Sequence, residues 1–270
     1  MNPAGRMLDS IKETLQSENK EDQMVEDESS GKDAHVIITD AIIRYKQTLI
    51  GAIAKDAESL GASDDSVILG GAFLLQRVEM LSSFNSSLLE GIVSCLVRHK
   101  VVSSFSVLQW VLLEGGESSG ADVVPRWWCY ATDSIRETVA VMEEEKKANG
   151  GMTIDGGNMN SNEEFASQVM THLSKALSYA VQRTCTLLST NEKDLKSVEL
   201  LEGMKYFASR SKSLVVAAIK RAFTIEKALQ NTDVEALFAK FNLLGASLAE
   251  ICPASSYPAI ALLKLSLQTA

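Results

Sequence analysis

The chain has 270 residues, 46% of them hydrophobic, which is enough for one large or two small cores, and its mean hydropathy of +0.03 is ordinary for a globular interior. Lys and Arg number 26 against 35 Asp and Glu, a formal net charge of −9. Non-specific nucleic-acid affinity comes mainly from Lys and Arg displacing counterions, so no direct nucleic-acid contact is expected from this chain. The four cysteines, Cys95, Cys129, Cys185 and Cys252, show neither CxxC nor Cys–His spacing. That speaks against a disulfide framework and a zinc site, and predicts small core residues in a reducing compartment.

The opening residues MNPAGRMLDSIKE lack a basic region followed by an apolar run, and no segment approaches the roughly 18 apolar residues of a membrane span. A soluble, non-secreted protein without membrane contact is therefore expected, and the NSS at Asn85 to Ser87 reads as the N-cap region of a helix, not a glycosylation acceptor. Residues 1–34 are charged and acid-rich, and such a run buries too little apolar surface to offset its ordering entropy. They read as a disordered acidic leader, with room for one short amphipathic helix through Met7, Ile11 and Leu15.

From Val36 the spacing turns helical. Ile38, Ile42, Tyr45, Leu49 and Ile53 step by three and four before GASDD stops the run. A second helix follows, with Asp64 or Asp65 placed to cap it, and then a third with Leu88, Ile92, Cys95 and His99 on one stripe. SSFSVLQWVLLE is a short fourth, and Pro125 opens a fifth that closes in the charged MEEEKKAN. Residues 149–162, NGGMTIDGGNMNSN, read as a flexible surface linker that divides the chain in half. Five further segments beyond it keep the helical spacing, and no Val/Ile/Thr alternation bounded by turns predicts a sheet. The expected architecture is all-α, a degenerate HEAT-like stack of antiparallel helix pairs over residues 35–270 forming one helical-repeat domain.

No residue pattern supports catalysis. His35, His99 and His172 fall on separate segments without HxxxH spacing. Asp64 and Asp65 lack the acid three residues later that an Asp-rich magnesium motif needs, and GGESSGAD has the glycines of a phosphate loop but no following Lys-Ser or Lys-Thr. No catalytic, cofactor or metal residue is therefore nominated. An all-α enzyme stays open as the alternative from a different class, to be revived by a bound metal or an acid-lined pocket. A membrane or coat solenoid has no lipid-anchor or basic amphipathic signal behind it.

Two stretches could meet a partner. Arg98, His99 and Lys100 form the tight basic cluster VRHKVV, which a helix C-terminal dipole is enough to explain, with Arg98 and Lys100 as candidate partner contacts. RWWCY holds two of the three tryptophans. Adjacent helical residues diverge by about 100 degrees, so Trp127 and Trp128 cannot sandwich a base between them. Trp128 begins a stripe through Ala131, Ile135, Val139 and Met142 and is predicted core, while Trp127 and Tyr130 lie on the flank, where packing against the protein or against a partner is possible.

CLVRHKVVSSFSVLQWVL (Cys95 to Leu112), followed by RWWCYATDSIRETVAVMEEEKKAN (Arg126 to Asn149), resembles the last helical domain of the large-subunit family of the nuclear cap-binding complex. There a helix ending in a basic residue and a Val/Ile pair precedes a short helix with an AVxxWIF-type core, matched here by Val107, Leu108, Trp110 and Val111, and then a longer helix with Trp near its start. KSVELLEGMKYFASRSKSLVVAAIKRAFTIEKAL and DVEALFAKF fit the closing helices, so the resemblance runs from about Ala34 to Ala270. It implies an ARM-type, initiation-factor-4G-middle-domain-like superhelix in a non-enzymatic scaffold, nuclear with cytoplasmic shuttling. Such a scaffold supports a small RRM cap-binding subunit for the mRNA 5′ cap and recruits splicing, export and nonsense-mediated-decay factors. The family's cap-stacking residues lie on the small subunit, so none transfers to this chain.

Two departures stand out. Residues 149–162 replace the charged coiled-coil insertion of some members, and two preceding domains and a nuclear-localisation segment are not seen here. The expectation is a fragment, the product of a truncated gene or a divergent partner. A translation or decay scaffold of the initiation factor 4G type shares the architecture and is the alternative among binding modules.

Overall fold

The computed structural model describes residues 2–21, 34–82, 86–114, 124–150, 159–190 and 196–225. All eight elements among them are helices: α1 Pro3–Glu21, α2 Ala34–Ser59, α3 Asp64–Leu81, α4 Ser86–Arg98, α5 Ser104–Glu114, α6 Val124–Gly150, α7 Met159–Thr190 and α8 Lys196–Ile225. The protein is all-α among the described residues. It divides into two compact units, Met1–Trp110 and Val111–Ala270, where the sequence predicts one domain. The Gly/Asn-rich stretch is not the boundary, because α6 and α7 on either side of it pack within the second unit. It also ends sooner than its composition predicts, since α6 includes Asn149 and Gly150 and α7 begins at Met159.

The first unit corrects the reading of residues 1–34 as disordered. Pro3–Glu21 is helical and packs on α2 and α3, with Ala4, Met7, Leu8 and Ile11 sealed from solvent. These four step by three, one and three, and burying a large apolar side chain is worth roughly 1.5–3 kcal/mol, enough to seat a helix whose average composition is polar. Lys12 Nζ adds a 2.8 Å hydrogen bond to the Leu81 carbonyl at the end of α3. Residues 22–33 lie outside the described residues.

α2 buries Ile38, Ile42, Leu49 and Ile53 as their spacing requires, with Tyr45 half-buried. It ends in a Schellman turn: Ala62 N–H donates to Ala57 O (3.0 Å) and Gly61 N–H to Glu58 O (3.3 Å), with Gly61 at φ 107°. α3 is capped by Ser63 and not by Asp64 or Asp65: Ser63 has extended backbone and its Oγ accepts from Ser66 N–H at 3.2 Å. Both aspartates occupy the first helical turn, where their charge suits the positive end of the dipole. α3 packs on α2, tied by Arg77–Asp56 at 3.1 Å.

In the second unit, α6 and α8 run in the same direction, since Cys129 meets Tyr206 near their starts and Glu143 meets Arg221 near their ends, at 3.6 and 2.9 Å. α7, joined to both through the short stretches 151–158 and 191–195, must run back against them. α8 is one continuous helix where the sequence offers two segments; Ser213 Oγ returns to the Ser209 carbonyl at 3.0 Å and no breaker intervenes. The predicted helices in DVEALFAKFNLLGAS and YPAIALLKLSLQTA lie outside the described residues.

Candidate partner-binding surface

Arg98 is the last residue of α4 and half-buried; Lys100, two residues on, is exposed. The chain leaves α4 through a second Schellman turn, with Val101 N–H on Leu96 O and Lys100 N–H on Val97 O, both 2.9 Å. Lys100 occupies its left-handed position at φ 56°, the place Gly61 takes after α2. The turn buries Val101 and Val102 and leaves the Lys100 side chain outside.

Two helices bring other groups to this end. His35, Thr39 and Lys46 share one stripe of α2, and Cys95 and His99 stand one turn apart along α4 and its exit. The Cys95 thiol, fully buried, lies 3.5 Å from Thr39 Oγ1 and 3.7 Å from His35 Nε2. Burial first, then the positive charges of Lys46, Arg98 and His35, hold the His99 pKa below its ordinary value. Its Nε2 is buried and accepts or donates no hydrogen bond. Basic groups from α2 and α4 thus converge on one edge of a chain whose net charge is −9.

RWWCY behaves differently. Trp128 is 2% exposed, with Ala131, Ile135 and Val139 buried along its stripe and Met142 half-buried. Phe207 of α8 lies 5.8 Å away, ring to ring at 42°, and Gly203 comes so close that a Cβ there would overlap the indole Nε1. Tyr130, nominated as a partner contact, is instead 5% exposed. The reason is that α6 is buried on two sides, because Ser134 and Glu137 continue the face of Tyr130. The Trp127 side chain lies outside the described residues.

Cys129 corrects the assignment of all cysteines to the core. It is exposed, with its Sγ 3.6 Å from the Tyr206 hydroxyl; Cys95 is buried and Cys185 intermediate, and Cys252 lies outside the described residues. Standing about 100 degrees from Trp128 on the helix, Cys129 was legible as off the apolar stripe. Among the described residues no three His, Cys, Asp or Glu side chains gather as metal ligands, and no helix is long and apolar enough to cross a membrane.

No protein-family model matches the chain, and neither a curated protein nor a solved structure matches it. The α2–α4 edge is what remains as a site: a basic cluster set on rigid helices, suited to ionic contact. Lys46 and His35 escaped the sequence reading because they reach His99 and Cys95 only through the packing of α2 on α4.

Proposed function

We propose that the chain is a non-enzymatic helical scaffold of the kind formed by the large subunit of the nuclear cap-binding complex. What supports the reading is the run α4–α5–α6. A helix ends at a basic residue followed by buried Val101 and Val102; a short helix buries Val107, Leu108, Trp110 and Val111; a long helix buries Trp128 near its start. That order and those core positions are what the resemblance implies. The packing of consecutive helices α2 and α3 and the back-and-forth run of α6, α7 and α8 are compatible with a HEAT-like stack. In this reading the chain supports a small RRM subunit, which holds the cap, and recruits RNA-processing and export factors in a nuclear, shuttling complex. Gel filtration of the purified chain with an RRM cap-binding subunit tests it. Co-elution, with cap affinity appearing only in the mixture, is the expected result. Separate elution at concentrations of about 10 μM, well above the affinities of stable complexes, would remove the reading.

A further inference from the structure

α1 is held to its unit by one narrow stripe. Ala4, Met7, Leu8 and Ile11 are at most 1% exposed and stand at i, i+3, i+4 and i+7, on the side that packs on α2 and α3. Arg6, Asp9, Glu13 and Gln16 are exposed on the opposite side. The seal loosens after Ile11, since Leu15, next on the same stripe, is half-buried. Residues 22–33 join α1 to α2, a connection that by covalent geometry can reach about 40 Å. α1 can therefore leave its seat without moving α2.

The seat is built by helices that hold each other. Gly70 brings α3 so close to α2 that a Cβ there would lie 2.8 Å from the Ile53 carbonyl oxygen, and Arg77 pairs with Asp56 across the same contact. At the end of α3 the Lys12 Nζ donates to the carbonyl of Leu81, the last residue of that helix. Such terminal carbonyls lack an intrahelical donor, and a cation there also meets the negative end of the dipole. Met80 and Leu81 are 59% and 38% exposed at this end, apolar surface that α1 leaves uncovered.

We propose that the face of α2 and α3 under α1 is a docking groove for a helix of a partner protein, filled in cis by α1 until a helix with the same anchors displaces it. The chemistry of the partner follows from what α1 presents: apolar residues at i, i+3, i+4 and i+7, the first of them small, and Lys or Arg at i+8. Helix-in-groove recognition reads anchors at this spacing. A partner that also covers Met80 and Leu81 buries apolar surface that α1 does not. Tethered α1 competes at an effective concentration in the millimolar range, which excludes weak binders. The inference goes beyond the scaffold reading and needs no RRM subunit.

The test is a fluorescence-anisotropy titration of the full chain with two labelled peptides. One is residues 2–21; the other keeps only Ala4, Met7, Leu8, Ile11 and Lys12 of α1, at their spacing, in an otherwise different helical sequence. Against the unaltered chain both should bind with an apparent Kd of about 1 mM, set by α1 in cis. Met7→Asp combined with Ile11→Asp in the full chain releases α1, and both peptides should then bind at least about tenfold more tightly, with thermal melts showing the variant folded. Lys12→Glu in the peptide should weaken that binding about threefold. Hydrogen exchange of the unaltered chain should show the α1 amides opening at lower free energy than those of α2 and α3. Equal protection of the three helices, loss of the fold in the double variant, no gain in its peptide binding, or binding of the first peptide without the second overturns the proposal. So does a dimer of the chain that Met7→Asp abolishes, which would give the groove to a second copy.

Discussion

Trp110 and Trp128 are almost equally sealed, at 1% and 2% exposure, yet they hold their units in different ways. In the first unit the Trp110 indole N–H donates to the buried Glu79 carboxylate at 3.2 Å, so a polar group inside the core is satisfied by another. In the second unit Trp128 lies against the bare backbone of Gly203 and the Phe207 ring, and fit depends on volume. One core should therefore be sensitive to polarity and the other to a single methyl group.

The largest effect is expected at Trp128. Trp128→Ala should cost about 3–5 kcal/mol, seen as a fall in the denaturation midpoint, because a large buried ring leaves a cavity. Gly203→Ala should also destabilise, despite alanine's better helix propensity, and its cost should shrink in the Trp128→Ala background, which makes room for the methyl. Additive effects would mean that Gly203 is not where the ring rests.

In the first unit, Glu79→Leu should cost about 1–3 kcal/mol by leaving the indole N–H of Trp110 without its acceptor. Adding Trp110→Phe should recover part of that loss, since both polar partners are then gone. No recovery in the double variant would show that the hydrogen bond is not what Glu79 supplies. Smaller still is the exchange at the two Schellman turns: Lys100→Gly should raise stability by about 1 kcal/mol, because a β-carbon is disfavoured at φ 56°, while Gly61→Ala should lower it by a similar amount.

The smallest effect concerns pH. Burial, and then the charge of Lys175, hold the His172 pKa below its ordinary value, as burial and Lys46 do for His99. A histidine whose pKa is lowered on folding takes up its proton more readily in the unfolded chain. Stability should then be flat above about pH 6.5 and decline as the pH falls from there towards the folded values. His172→Gln should shallow that decline in urea titrations between neutral and mildly acid pH; an unchanged slope would show that His172 is solvated.

How far the sequence reveals this differs along the chain. α2 and α6 were legible because long apolar steps of three and four leave one interpretation, and Trp128 follows from the same stripe. α1 was legible only as a short amphipathic helix through Met7, Ile11 and Leu15; the charges of residues 17–33 dominate the average, so its docking through Ala4, Met7, Leu8 and Ile11 was missed. Tyr130 failed for a related reason: a stripe reading assigns a helix one buried face, and α6 has two. At the candidate surface, Arg98 and Lys100 stood out as chain neighbours. The contribution of Lys46 comes from tertiary packing, which no spacing within one helix encodes.

The central claim is that this chain supports a cap-binding subunit and does not itself stack on a cap. Titration of the purified chain with a methylated cap analogue, read by its own tryptophan fluorescence, tests it most directly. Trp128 and Trp110 are buried, so the account predicts no saturable quenching until an RRM subunit is added. Saturable quenching of the isolated chain at micromolar ligand, lost on Trp127→Ala, would contradict it.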